Sequence, residues 1–129
     1  MKKTFSKFQA LIPAALAAAA LWTLASPAAA QQGVSKDEIL VGTIQDLSGP
    51  LAGYGKQARN GLQLRVDEIN EQGGIHGRKI KLLVEDSGYD PKKAVLAAQK
   101  LVNQDKIFIM AGHIGTAQNN AAMPVQFEK

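Results

Sequence analysis

The chain has 129 residues, 15 Lys and Arg against 11 Asp and Glu, and no cysteine. That length holds one small domain or a part of a larger one. The missing thiols exclude disulfides, cysteine nucleophiles and sulfur metal ligands together, and no basic stripe interleaved with aromatics marks a nucleic-acid face.

Residues 1–30 read as a secretory signal. Lys2, Lys3 and Lys7 give a positive start, Ala10 to Leu24 is almost wholly apolar, and Ser26-Pro27 breaks the run before the small-x-small pattern Ala28-Ala29-Ala30. The apolar run is about 15 residues, short of the roughly 20 needed to cross a bilayer. Cleavage is expected before Gln31, and with no cysteine near the cut a lipid anchor is excluded. Three basic residues lie in this segment, so residues 31–129 carry 15 − 3 = 12 basic and 11 acidic side chains, a net charge of +1.

The rest alternates between two patterns. Ile39–Ile44 is a short β-branched run, the first strand. Leu47–Gly55, punctuated by Ser48-Gly49-Pro50 and Gly53, reads as loop. From Lys56 to Gln72 the residues Ala58, Leu62, Val66 and Ile69 recur at helical spacing, with Leu64 off that face. Gly73-Gly74 then ends the helix, since glycine accepts the left-handed conformation there. Ile80–Val84 is the second strand, closing at Glu85-Asp86. Asp90-Pro91 starts the second helix: the carboxylate accepts from free N–H groups and proline fits the first turn. Its apolar stripe is Ala94, Ala97, Ala98, Leu101 and Val102. Ile107–Ala111, apolar on both faces, suits the buried middle of a parallel sheet. Gly112-His113-Ile114-Gly115 is loop, with Thr116 expected to cap a third helix to about Phe127 that Pro124 kinks or shortens.

The order β-α-β-α-β-α without hairpin signals predicts an α/β fold with a doubly wound parallel sheet. Such sheets bind ligands beyond the carboxyl ends of their strands, where successive crossovers leave in opposite directions. With the first strand between the other two, the crevice is framed by Leu47–Gly55 and His113–Thr116. The second of these opens a helix, whose bare N–H groups favour an anion such as a carboxylate.

Catalytic readings fare badly. Gly49, Gly53 and Gly55 do not form G-x-G-x-x-G; Gly49 to Gly55-Lys56 is one residue too long for a phosphate loop, and Gln57 stands where a magnesium-binding hydroxyl belongs. Ser48 lacks the G-x-S-x-G setting of a hydrolase. His76 reads as a solvated turn residue. His113 has two readings, a ligand contact or a hydrogen-bonded structural ring. Asp46 and Asp86 imitate a phosphoryl-accepting pair or simply cap loops; export decides against the former. Tyr54 is either a core aromatic or ligand-facing, and a loop tip favours the latter. No nucleophile–base pair or metal cluster emerges, so no enzyme activity, cofactor or metal is expected.

These residues resemble the solute-binding proteins of branched-chain amino acid ABC transporters, the leucine-binding type I periplasmic group. The likeness runs through Leu47-Ser48-Gly49-Pro50-Leu51-Ala52-Gly53-Tyr54-Gly55, Ile69-Asn70, Gly73-Gly74-Ile75-His76-Gly77-Arg78, Asp86 with Asp90-Pro91, and Gly112-His113 before Thr116. It implies a two-lobed periplasmic receptor that closes on an amino acid or similar small carboxylate and presents it to a membrane permease, closure being a population shift. It also implies that Tyr54 covers the ligand and that Thr116 binds its carboxylate; Ser48, His113 and Gly115, in the two loops that frame the crevice, are expected to line the site with them. Two departures bear on ligand preference. A single Thr116 replaces a run of serines, and Tyr89 and Gly115 occupy places that some relatives join by a disulfide.

Residues 31–129 are accordingly expected to form the N-terminal part of the first ligand-binding lobe, with Ile107–Ala111 left as an unpaired apolar sheet edge prone to association. A ligand-sensing domain of a receptor or regulator shares the same fold and is the alternative.

Overall fold

A computed structural model describes residues 31–128; residues 1–30, read above as a secretory signal, lie outside the described residues. The elements are β1 (Glu38–Gln45), α1 (Ala52–Glu71), β2 (Lys79–Asp86), α2 (Pro91–Gln99) continued by a π-helical turn (Lys100–Gln104), β3 (Ile109–Met110) and α3 (Thr116–Gln126). The sheet is parallel in the order β2-β1-β3. β1 is therefore central, and the doubly wound arrangement read from the pattern holds.

Strand alternation sorts β1 between two environments. Ile44 enters a core with Ala94, Ala97, Ala98, Leu101, Val102, Ile107, Ala122 and Val125. The small alanines let α2 and α3 approach each other and the sheet closely. All five residues of the predicted α2 stripe are buried. Asp90 caps α2 as expected, its carboxylate accepting from the Lys93 N–H at 2.9 Å with Pro91 in the first turn. The opposite face of β1 carries Thr43 and Gln45, both with no exposed surface. Gln45 Nε2 donates to Thr43 Oγ1 at 2.7 Å and also to the Gly112 carbonyl.

α1 lies on that second face and is more loosely covered. Val66 and Gly55 are its buried residues, while Ala58 and Leu64 of the apolar pattern are exposed. At its end, Gly73 N–H donates to Asn70 O and Gly74 N–H to Ile69 O, with both glycines at positive φ. That is the double closure by which left-handed residues satisfy the last carbonyls of a helix. Asn70 then grips the outer edge of β2, its amide giving to Ile80 O at 2.8 Å and taking from Ile80 N–H at 2.7 Å.

Three sequence expectations are corrected. α1 begins at Ala52 rather than Lys56, and the Asp46 carboxylate holds the turn that leads into it, accepting from Gly49 N–H at 2.5 Å and Leu51 N–H at 2.6 Å. Gly55, read as loop, is a packing glycine: a Cβ there would overlap the Asp46 carbonyl. β3 is the outer strand that the expected order gives, but it is not buried on both faces: it is two residues long, and Ile109 and the preceding Phe108 are half exposed. Thr116 does not cap α3; Gly115 at φ 99° holds the cap position and Thr116 is the first helical residue. Pro124 sits inside α3, which ends two residues later.

Candidate functional site

The carboxyl ends of β1 and β3 lie side by side. From there α1 leaves to one face of the sheet and α3 to the other, which makes this the switch point of a doubly wound sheet. Three loops meet at this end, and side chains lace them together.

Asp86, at the end of β2, joins the first two loops. Its Oδ1 accepts from Leu47 N–H and Gly88 N–H, each at 2.8 Å, and its Oδ2 accepts from the Ser48 hydroxyl at 2.5 Å. Burial alone would raise its pKa, but these three donors and the nearby Lys93 ammonium together hold it below the ordinary carboxylate value. The loop-capping reading of Asp46 and Asp86 is thus the one the geometry bears out. Ser48 spends its hydroxyl proton on Asp86, which leaves its oxygen only lone pairs to offer elsewhere.

The third loop is tied to β1 by His113, whose Nδ1 accepts from the Ile44 N–H at 2.9 Å. The ring prolongs the ladder of β1 beyond β3, and its Nε2 is buried with no partner among the described residues. Burial lowers its pKa, so the ring is neutral and Nε2 carries the hydrogen. The bond at Nδ1 is the one the structural reading of His113 calls for, and Nε2 is unpartnered among the described residues.

Gly115 and Thr116 open α3 beside this ring. Thr116 is exposed and its hydroxyl makes no cap hydrogen bond, so the hydroxyl and the first amides of α3 are left unspent by the helix. Tyr54 stands apart from this lacing. It lies in the first turn of α1, 70% exposed, and its side chain makes no hydrogen bond among the described residues, which disposes of the core reading.

Sequence reasoning missed Gln118 altogether. This third residue of α3 is buried at 4% exposure, and its Nε2 donates to the Tyr89 carbonyl at 2.5 Å, joining the second loop to the third. Its position three residues after the cap was the available signal, since glutamine there commonly reaches back over a helix start. The crevice itself is open; a cavity of about 320 Å³ lies elsewhere, at the outer side of β3 between Val102, Ile107, Phe108 and Phe127. His76 falls in an exposed turn at φ 50°.

Doubly wound α/β layers commonly hold a ligand where polar loops gather at the switch point. Residues 38–127 match the periplasmic binding protein family, and the chain belongs to it. A Leu/Ile/Val-binding protein of Rhizobium johnstonii is 42% identical over 88 residues, which is 68% of this chain and 23% of that protein. Among solved structures, a branched-chain amino acid transporter substrate-binding protein of Streptococcus pneumoniae in complex with isoleucine superposes with a TM-score of 0.67 at 34% identity, covering 69% of this chain and 26% of that one. A fatty acid ABC transporter substrate-binding protein from Thermomonospora curvata gives a TM-score of 0.69 at 34% identity, over 72% and 23%. The chain thus spans about a quarter of the length of the proteins it matches.

Proposed function

We propose that this chain contributes the N-terminal part of the first ligand-binding lobe of an extracytoplasmic solute-binding protein, which takes up a branched-chain amino acid or similar small carboxylate and delivers it to an ABC permease. Residues 1–30 direct export and are removed before Gln31, leaving the protein in the periplasm. The observation that carries this reading is the start of α3, where Thr116 and bare amides sit at the switch point of the sheet. Such a terminus favours a negative group. Isoleucine and a fatty acid, named for two structural neighbours, have a carboxylate in common. Tyr54, in the first turn of α1, supplies an exposed ring, and Ser48, His113 and Gly115 belong to the loops that frame the crevice.

A thermal-shift panel of leucine, isoleucine, valine, benzoate and short amides tests this. A carboxylate at a hundredfold excess over its dissociation constant stabilises by about 2.7 kcal/mol. Stabilisation by amides with no response to any acid would remove the carboxylate assignment.

A further inference from the structure

Tyr89 is held in a conformation it does not adopt freely. Its φ is 60°, in the left-handed region, which is strained for a non-glycine residue and persists only where surrounding contacts enforce it. Two contacts enforce it here. Its N–H donates to Ser87 Oγ at 3.3 Å, and its carbonyl accepts from Gln118 Nε2 at 2.5 Å. Gln118 is almost fully buried and leaves its Oε1 without a partner, a second cost borne at the same place.

These features converge on the start of α3. A Cβ on Gly115 would run into Gln118 Oε1 and stand 3.0 Å from the Tyr89 ring carbon Cε2. The ring therefore lies against the residue just before Thr116, and its hydroxyl has no hydrogen-bond partner among the described residues. A ring in that position sets an apolar edge against the start of α3 and carries an O–H donor that no described residue occupies. Tyr89 is not among the residues of the buried core.

Building on the carboxylate-binding reading above, we infer that Tyr89 is a further specificity-determining side chain that contacts the carboxylate end of the ligand, and that Gln118 is the positioning residue that keeps it there. The strain at Tyr89 and the unpaired oxygen of Gln118 are the cost of fixing that ring before the ligand arrives.

The chain has two tyrosines, so ring signals in an NMR spectrum of the full chain are assigned by comparison with Tyr54→Phe. On titration with isoleucine and with benzoate, both the Thr116 amide and the Tyr89 ring are expected to shift. A shifting Thr116 amide with an unmoved Tyr89 ring would overturn the role of Tyr89 while leaving the crevice intact; a silent Thr116 amide would overturn both readings. Gln118→Met keeps the volume and removes the hydrogen bond. It is expected to move the Tyr89 ring signals without ligand and to weaken binding about tenfold, and Tyr89→Phe, which keeps the ring, is expected to retain isoleucine binding better than Tyr89→Ala. Unchanged Tyr89 signals in a folded Gln118→Met would refute the positioning role. Should that variant fail to fold, the titration of the unmodified chain still decides whether Tyr89 meets the ligand.

Discussion

The Ile44 amide donates to the imidazole Nδ1 of His113, 69 residues further along the chain. A backbone group of the central strand is thus satisfied by a ring that must stay unprotonated on that nitrogen. The ring is buried, which lowers its pKa from the ordinary 6.5.

Acid should loosen this loop. Below an unfolded value of 6.5 the unfolded chain binds a proton that the folded chain takes up only at lower pH, and stability rises with pH wherever the unfolded state holds more protons. The stabilisation from a neutral His113 is therefore complete above 6.5 and lost as pH falls through the folded-state value. Urea midpoints measured between about pH 5 and 8 should fall toward acid and flatten in His113→Gln. A parent profile identical to that of His113→Gln would contradict the assignment.

Two glycines of α1 predict opposite signs. Gly55→Ala drives a methyl into the Asp46 backbone and should destabilise by about 1–3 kcal/mol, the range for overpacking. Gly61 has nothing within 4 Å of a would-be Cβ, so Gly61→Ala should stabilise by about 0.5–1 kcal/mol through helix propensity alone. Chemical denaturation of both variants checks the pair; equal effects would mean that α1 does not approach Asp46 as described.

Asp90→Ala removes the cap of α2 and should cost about 1 kcal/mol, with Asp90→Asn or Asp90→Ser restoring most of it. Thermal melts separate these variants, since a small domain loses roughly 4–8 °C per kcal/mol. A loss in Asp90→Ser as large as in Asp90→Ala would argue against a capping role.

The outer edge of β3 should promote association. Phe108 and Ile109 are 46% and 51% exposed on a strand with a single neighbour among the described residues, the arrangement that charged side chains normally guard. Light scattering should show concentration-dependent growth that Ile109→Lys suppresses. Unaltered scattering in a folded Ile109→Lys would place the sticky surface elsewhere.

The pattern of short β-branched runs between helical stripes was enough to read the strand content, the winding and the α2 core face, because periodicity is a local property that burial reinforces. Local signals failed where distant residues decide. Gly53 and Gly55 look like loop residues, yet a carboxylate at Asp46 opens a helix through them. Thr116 looks like a cap, but the space left by Tyr89 and Gln118 admits only glycine one residue earlier. Ser48, Gly115 and His113 were legible as residues of the crevice loops. The lacing through Asp86, Tyr89 and Gln118 was not, since each link joins segments 29 or more residues apart.

Hydrogen bonding within the sheet is lopsided. β1 is registered with β2 at eight positions and with β3 at two. Amide exchange should accordingly be slowest along the β1–β2 seam and quicken toward the third loop, because short ladders open at lower free energy than long ones. The protein thus divides along β1 into a settled half and a provisional half. On the function proposed above, a guest that grips the start of α3 would do part of its work by finishing the fold around itself.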